Sequence, residues 1–329
     1  MSPFYGQLYN ASPLIGLKNR VIRCKMKKQG YISISIAAVI LLCLTIFGSF
    51  WDLEIARALY IGQEPSENMF GIIVSYIGII PTFVGWSFLG ASIFCLSKKQ
   101  ITEDKKRRWL SGFGIFLIVL SFFYFCNTIY ISNANAFEIH FVAAYAIGIA
   151  IICPAVYFGY KLSLKSEDGE LLKKALILAV VSLVTLLIIS GGKGIMCRPR
   201  FRLVLAMDDT AYFKNWWQSG RALRASFDTD TVTDEFASLP SGHSAYSMFA
   251  IFMFPALADY ACGLRKFKPY LFAFGFVWWA VTAISRLTVG AHYLTDVTIA
   301  GLVTILAYAI VSAARKIYLK RKLNLKNEI

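Results

Sequence analysis

Charged side chains are scarce in this chain: only 16% of its 329 residues are Asp, Glu, Lys or Arg, while 57% are hydrophobic. Soluble domains carry about 25% charged residues, and the mean hydropathy here is +0.58. The shortage of charge excludes an ordinary soluble domain. The seven cysteines include no pair at Cys-x-x-Cys spacing, so nothing in the sequence indicates a thiol-bound structural zinc site.

Long apolar runs take the place of charged segments. A membrane-spanning helix needs about 20 mostly apolar residues, whereas a spanning strand needs only about 10 of alternating polarity. These runs are too long and too continuously apolar for strands. The sequence therefore predicts an all-α polytopic membrane protein with about eight transmembrane helices. The runs cover residues 31–51, 70–96, 109–131, 138–160, 174–191, 242–262, 269–287 and 294–314.

Basic residues are concentrated in alternate connections between the runs, while residues 52–69 contain only Arg57. This positive-inside pattern predicts cytoplasmic termini and an extracytoplasmic segment at 192–240. The compact size and the lack of a convincing glycosylation site on the outer face favour a bacterial inner membrane. A basic tail that binds nucleic acid or anionic lipid would explain part of the net charge of +15. It would not explain the alternation, so we expect no nucleic-acid partner. The basic connections are 1–30, 97–108, 161–174, 263–268 and 315–329.

A first polar segment, residues 240–243, stands at the predicted outer start of the sixth run and reads Pro-Ser-Gly-His. Ser241 is a favoured N-cap residue, and Gly242 allows the backbone to approach a ligand closely. Because a helix N-terminus attracts anions, His243 would stand beside any anion held there. A capped helix with an incidental histidine is the structural alternative.

A second polar segment contains Arg286, His292 and Asp296. His292 and Asp296 are four residues apart and so are neighbours on a helix. Asp296 can accept a hydrogen bond from one ring nitrogen of His292 and leave the other with a free lone pair. Arg286 offers a planar fork of donors that suits phosphate oxygens. The alternative is a structural His–Asp pair with an interfacial arginine.

Together these segments resemble the second and third signature motifs of the type 2 phosphatidic acid phosphatase (PAP2) superfamily. The first motif of that family is a lysine followed seven residues later by Arg-Pro. Lys193 and Arg200 have this spacing, although Phe201 stands where the family usually has proline. Arg198 precedes a proline but at a spacing of five, and it is the second choice for the phosphate ligand.

The resemblance implies a six-helix catalytic core at 98–329 and leaves residues 1–97, with two helices, as an addition. It implies that His292 attacks phosphorus and forms a phosphohistidine, and that Asp296 holds the tautomer of His292. It further implies that His243 protonates the leaving group and then activates water. No metal or other cofactor is expected. The groups implied to hold the phosphoryl oxygens are Lys193, Arg200, Ser241, Gly242 and Arg286.

The resulting hypothesis is a phosphatase that acts on a lipid phosphate or pyrophosphate at the outer face of the membrane. A lipid phosphotransferase with the same intermediate, and a transporter or scaffold without catalysis, remain alternatives. The substrate remains open among undecaprenyl diphosphate, phosphatidylglycerol phosphate, phosphatidic acid and a lipid A phosphate. The sequence does not indicate an oligomeric state.

Three further expectations concern the predicted outer side. The aromatic residues of 203–235 predict a partly embedded cap over the site, because Trp and Tyr favour the membrane interface. His140 is expected to be a buried structural histidine. Five aspartates could form a metal group, but a solvated loop of mixed charge is the favoured interpretation; they are Asp208, Asp209, Asp228, Asp230 and Asp234.

Overall fold

The computed structural model describes residues 13–64, 66–133, 140–227 and 234–327, and within these ranges the chain is helical without any strand. Three short 3₁₀ turns lie at Thr210–Tyr212, Asp234–Phe236 and Cys262–Phe267. The α-helices are α1 (Pro13–Leu59), α2 (Met69–Ile77), α3 (Ile80–Gln100), α4 (Asp104–Asn133), α5 (Phe141–Lys165), α6 (Leu171–Met196), α7 (Phe201–Ala206), α8 (Arg221–Arg224), α9 (Gly242–Met248), α10 (Ala250–Tyr260), α11 (Lys268–Thr288) and α12 (Leu294–Asn327).

Seven helical stretches among the described residues are long and apolar enough to cross a membrane. The all-α polytopic class predicted from the sequence is thereby confirmed. The remaining predicted run, 242–262, forms α9 and α10, which are separated at Phe249 and are each shorter than a spanning helix. The backbone carbonyl of Phe249 accepts from the N–H groups of both Phe252 and Met253 at 3.0 Å, so the chain stays coiled through the junction.

The second predicted run, 70–96, is also divided, into α2 and α3. Pro81 stands in the first turn of α3 and has no N–H to continue a helix from α2. The carbonyl of Gly78 at this break accepts from the indole Nε1 of Trp278 at 2.9 Å. A side chain of α11 thus satisfies a backbone group that would be costly to leave unpaired in an apolar environment.

Glycines allow α3 to pack closely against its neighbours α4 and α5. A β-carbon on Gly90 would lie 2.6 Å from the carbonyl oxygen of Gly114, and one on Gly114 would lie 2.5 Å from that of Gly90. A β-carbon on Gly159 would likewise collide with the carbonyl of Phe88. Small residues at the contact are typical of membrane helices, because close backbone approach supplies much of the packing energy there.

One end of the bundle collects the segments singled out in the sequence. The last turn of α6 and the last turn of α11 reach this end, and α9 and α12 begin there. The Ser241 N–H donates to the carbonyl of Asp296 at 3.2 Å, and the Arg202 N–H donates to that of Gly290 at 3.0 Å. Three segments far apart in the chain are therefore joined at this end through backbone hydrogen bonds.

We predict that Gly114→Ala destabilises the protein, while Gly112→Ala on the same helix does not. The new methyl group at 114 would overlap the backbone of α3, whereas no atom lies within 4 Å of a β-carbon on Gly112. Overpacking of this kind costs about 1–3 kcal/mol. Thermal unfolding of the purified protein in detergent measures the effect. Equal midpoints for the two variants would contradict the glycine contact.

Candidate active site

The chain turns sharply where α6 ends, and this turn aims Arg198 into the protein. Cys197 caps α6 in the left-handed conformation with a φ of 44°, which is unusual for a residue other than glycine. The segment after α7 packs on this turn, because the N–H of Gly220 donates to the carbonyl of Met196 at 2.8 Å. A β-carbon on Gly220 would collide with the carbonyl of Cys197. Glycine is therefore required at this close approach.

The Arg198 side chain is fully buried, with 0% of its surface exposed, and it joins two carboxylates. Its Nη1 lies 2.5 Å from Asp296 Oδ1, and its Nη2 lies 2.9 Å from Asp52 Oδ2. Nη1 also donates to Thr295 Oγ1 at 2.9 Å, and Nε donates to the carbonyl of Lys214 at 2.8 Å. The guanidinium stacks on the ring of Tyr293 at 4.2 Å. Arg198 is therefore engaged within the protein and does not face an open site.

Asp296 is held by neighbours other than His292. Its Oδ2 accepts from the hydroxyl of Ser238 at 2.5 Å and from the backbone N–H of Tyr293 at 2.9 Å. The distance from Asp296 Oδ2 to His292 Nδ1 is 3.9 Å, which is too long for a hydrogen bond. The direct bond predicted from the sequence is therefore absent here.

The nearer partner of His292 is a backbone carbonyl. His292 Nδ1 lies 2.6 Å from the carbonyl oxygen of Ser238. Because a carbonyl can only accept, Nδ1 carries the proton and Nε2 keeps a free lone pair. Burial lowers the pKa of His292 from 6.5 to about 3, so the ring is neutral at physiological pH.

Basic side chains surround the two histidines. Electrostatic interactions connect His243 with His292, Arg286, Lys193 and Arg200. A β-carbon on Gly242 would lie 3.8 Å from Lys193 Nζ, so the lysine amine reaches the start of α9. The side chain of Ser241 caps this start by accepting from the N–H of Ser244 at 3.4 Å, as predicted.

Two arginines of this group keep unused donors. Arg200 Nη2 pairs with Asp234 at 2.8 Å, and Arg286 Nη1 donates to Ser75 Oγ at 2.6 Å. The buried Nε atoms of Arg200 and Arg286 have no hydrogen-bond partner. Leaving a buried donor unpaired costs about 1–3 kcal/mol, and the cost is higher when the group is charged. An anion bound beside either Nε atom would satisfy that donor.

The described part of residues 203–235 covers the buried Arg198. Phe213 packs edge-on against Tyr293 with the ring centroids 5.3 Å apart, and the carbonyl of Lys214 accepts from Arg198. Trp216 Nε1 donates to Ser49 Oγ of α1 at 2.8 Å, while Trp217 is 55% exposed. These contacts fit the predicted cap, within residues 203–227 and 234–235.

The other expectations for this side have mixed outcomes. The prediction for His140 was wrong: its side chain is exposed at the N-cap of α5, where Nδ1 accepts from the N–H of Val142 at 3.4 Å. Asp228 and Asp230 lie outside the described residues. Asp234 pairs with Arg200 and Arg202. No group of three or more His, Cys, Asp or Glu side chains suited to a metal occurs in the part that the structure describes.

Sequence reasoning missed three residues that contact the site: Asp52, Ser75 and Ser238. Asp52 could have been noticed as an acidic residue at the end of an apolar run, which is a functional signal in itself. Ser238 lies two residues before Pro240 but belongs to no predicted motif. Ser75 lies inside an apolar run, and nothing in its sequence context distinguishes it from a packing residue.

The fold and the site define a polytopic membrane protein with a buried histidine beside a cluster of cations. Residues 173–321 match the family model of the PAP2 superfamily. Over 150 residues, 40% of this chain, the sequence is 28% identical to phosphatidylglycerophosphatase B of Haemophilus influenzae. The match covers 60% of that protein, so the chain spans less than two thirds of this relative. No solved structure matches the chain.

Over residues 173–321 the match confirms the resemblance to the PAP2 superfamily that the motifs indicated. The matched part includes Lys193, Arg200, His243, His292 and Asp296. Residues 1–172 lie outside the match, and the division at residue 97 stays a prediction.

We predict that Arg198→Lys destabilises the protein far more than Arg200→Lys. A lysine at 198 cannot bridge both carboxylates, and an unpaired buried charge costs about 3–5 kcal/mol. Arg200 pairs with an Asp234 side chain that is 73% exposed, and such pairs contribute about 1 kcal/mol or less. Unfolding of both variants in detergent measures the difference. A smaller loss for Arg198→Lys than for Arg200→Lys would contradict the bridging role.

Proposed function

We propose that the protein is a lipid phosphatase that removes phosphate from a lipid phosphate monoester or pyrophosphate through a phosphohistidine at His292. The observation that carries the proposal is the short contact from His292 Nδ1 to the carbonyl of Ser238. This contact fixes the tautomer and leaves Nε2 as a neutral nucleophile. The charges of Arg200 and Arg286 act on His292, and each of these arginines keeps an unused Nε donor.

The first chemical step joins Nε2 of His292 to phosphorus. The negative charge of the bound phosphate favours the protonated form of His243. As the P–N bond forms, the P–O bond to the leaving group breaks, and the protonated His243 gives its proton to the leaving oxygen. A positive charge develops on the imidazole of His292. The carboxylate of Asp296, 3.9 Å from Nδ1, stabilises this charge across a short distance within a buried site.

The phosphoryl oxygens need cations because phosphoryl transfer depends mainly on positioning and charge stabilisation. Lys193, Arg200 and Arg286 supply this charge. The free Nε atoms of the two arginines give directed hydrogen bonds, and Ser241 and Gly242 contribute from the start of α9. Arg198, the second choice in the sequence, has both its Nη atoms bonded to carboxylates, which supports Arg200 as the phosphate ligand.

The second step returns the enzyme to its starting state. His243, now neutral, accepts a proton from water, and the oxygen of that water attacks phosphorus. The P–N bond breaks and inorganic phosphate leaves. Because the three basic side chains take the place of metal ions around the phosphoryl group, we propose that the reaction is independent of metals.

The substrate class follows from the setting of the site. The catalytic groups lie at one end of a bundle of apolar helices, and an amphiphilic phosphate can present its headgroup there while its chains stay in the membrane. The relative from Haemophilus influenzae is named for phosphatidylglycerophosphate. Phosphatidylglycerol phosphate is therefore the first substrate to test, before phosphatidic acid, undecaprenyl diphosphate and a lipid A phosphate.

We expect the purified protein to release inorganic phosphate from at least one of these lipids in the presence of EDTA, and His292→Ala to abolish release. The variant lacks the nucleophile, and removal of such a group lowers the rate by several orders of magnitude. His140→Ala is the matched control, because His140 is exposed and lies outside the site. It should keep the wild-type rate.

Three results would contradict parts of this proposal. Full activity of His292→Ala would exclude the phosphohistidine, and loss of activity in EDTA would exclude metal independence. Transfer of the phosphoryl group to an added lipid or sugar alcohol, without hydrolysis, would favour the phosphotransferase. Absence of both reactions with all four lipids would favour a transporter or scaffold.

We also propose that the site lies on the extracytoplasmic side of a bacterial inner membrane, with both termini in the cytoplasm. Ser219→Cys and Glu167→Cys place thiols at exposed positions in the predicted outer segment and in a predicted cytoplasmic connection. In intact spheroplasts, a membrane-impermeant maleimide should label the first variant above the background of the unsubstituted chain and leave the second unlabelled. The reverse pattern would invert the proposed orientation.

A further inference from the structure

Two side chains from residues 1–97 contact the candidate active site, although this segment lies outside the part matched by the PAP2 family. Asp52 lies in the last part of α1 and is 3% exposed. Ser75 lies in α2 and is 5% exposed. Each contacts a residue of a different predicted motif, so the segment does more than add two helices to the bundle.

The Asp52 carboxylate accepts hydrogen bonds from Arg198 and from both the backbone and the side chain of Thr295. Arg198 Nη2 lies 2.9 Å from Oδ2, and the backbone N–H of Thr295 donates to Oδ1 at 3.0 Å. The hydroxyl of Thr295, which accepts from Arg198 Nη1, gives its own proton to Oδ2 of Asp52. This set of donors fits an ionised carboxylate, which can only accept.

Asp52 thereby fixes the start of α12 from another helix. Thr295 is the second residue of α12, where backbone N–H groups lack partners within the helix and a carboxylate is favoured. A β-carbon on Gly48, one turn earlier in α1, would lie 3.0 Å from Thr295 Cγ2. The two helices are therefore in close contact at this point. His292 stands two residues before α12, and Asp296 lies in its first turn.

The charge of Asp52 also affects Asp296. Both carboxylates bind the same guanidinium, through Nη2 and Nη1 respectively. Without Asp52, the positive charge of Arg198 would neutralise the negative charge of Asp296. With Asp52 present, the two carboxylates together carry one negative charge more than Arg198 balances. This excess stabilises the imidazole of His292 when it becomes positive.

Ser75 makes the corresponding contact with the phosphate-binding group. Its hydroxyl accepts from Arg286 Nη1 at 2.6 Å and donates to the carbonyl of Gly71 at 2.6 Å. The side chain of Asn68 caps α2 by accepting from the N–H of Gly71 at 2.8 Å. Arg286 is thus anchored to α2 through Nη1, while its Nε remains without a partner.

We propose that the N-terminal segment completes the active site through two positioning residues: Asp52 orients His292 and Asp296 through Arg198 and Thr295, and Ser75 orients Arg286 toward the phosphoryl group. This rests on the proposed phosphatase function. The two residues act on different steps. Asp52 affects the charge that develops on His292, whereas Ser75 affects the binding of the phosphate oxygens.

The test compares Asp52→Asn with Glu54→Gln in the full-length protein in detergent, with short-chain phosphatidylglycerol phosphate as substrate. Both variants remove one negative charge from α1, but Glu54 is exposed and lies away from the cluster. We expect Asp52→Asn to lower kcat by about 10-fold to 100-fold, the loss found when partners that orient metal-binding side chains are mutated, while KM stays within about twofold. Glu54→Gln should match the wild type.

Ser75→Ala is the second variant and does not depend on whether Asp52→Asn folds. Loss of one hydrogen bond of about 1 kcal/mol should raise KM about fivefold and weaken inhibition by orthovanadate by a similar factor, with little change in kcat. Thermal unfolding reports the folded fraction of each variant. Kinetics equal to the wild type, or losses that follow the folded fraction alone, would overturn the proposal.

Orthovanadate binding separates failure of this proposal from failure of the proposed function. If the wild type releases no phosphate from any lipid, the phosphatase assignment fails. In that case the affinity of each variant for vanadate can still be compared, through the shift that vanadate causes in the unfolding temperature. Weaker binding by Asp52→Asn and Ser75→Ala, with unchanged binding by Glu54→Gln, would support the positioning roles. Equal binding by all four proteins would overturn them.

Discussion

The buried guanidinium of Arg198 is the interaction on which the rest of the site depends. It is fully enclosed and bonds to Asp52 of α1 and Asp296 of α12, while its own segment follows α6. Removing three charged groups from water is costly, and only well-aligned partners offset that cost. The cluster therefore permits few arrangements of these helix ends. Ser238 is bonded through its N–H to the carbonyl of Arg198 and through its hydroxyl to Asp296. Its own carbonyl contacts the ring of His292, so the cluster also fixes the position of this ring.

The ionic cluster requires that α1 and α12 lie close together, and helix packing provides this. Apolar burial contributes little to helix association within a membrane, so close contacts between backbones and a few polar pairs stabilise the packing. Glycines allow close backbone contacts between α3 and α4 and between α1 and α12. The hydrogen bond between Thr45, two turns before Asp52 in α1, and Thr298 of α12 at 2.8 Å is one of these polar pairs. The position of Asp52 thus follows from the packing of α1 on α12.

The sequence predicted the helical class and most helix positions, because apolar runs of spanning length leave few alternatives. The breaks at Gly78 and Phe249 were not predictable from hydropathy alone. Pro81 marks the first break in the sequence, whereas the contact of the Trp278 indole with the freed Gly78 carbonyl is seen only in the structure. Motif spacing predicted which residues meet at one end of the bundle. It could not predict that Ser238, rather than Asp296, contacts the His292 ring. The contact is made by a backbone carbonyl, which every residue has, so no residue type in the sequence indicates it.

The two arginines on either side of Pro199, Arg198 and Arg200, have different roles. Motif spacing alone does not distinguish these roles, but the structure does. Arg198 and Arg200 are two residues apart, and either could serve as a phosphate ligand by composition alone. In the structure Arg198 has carboxylate partners on both Nη atoms, whereas Arg200 has one exposed carboxylate partner and a buried Nε without any. A buried cation with a free donor lowers the stability of the folded protein until an anion arrives. Arg200, with its free donor, is therefore suited to bind an anionic ligand. Arg198, which is fully paired, is suited to a structural role.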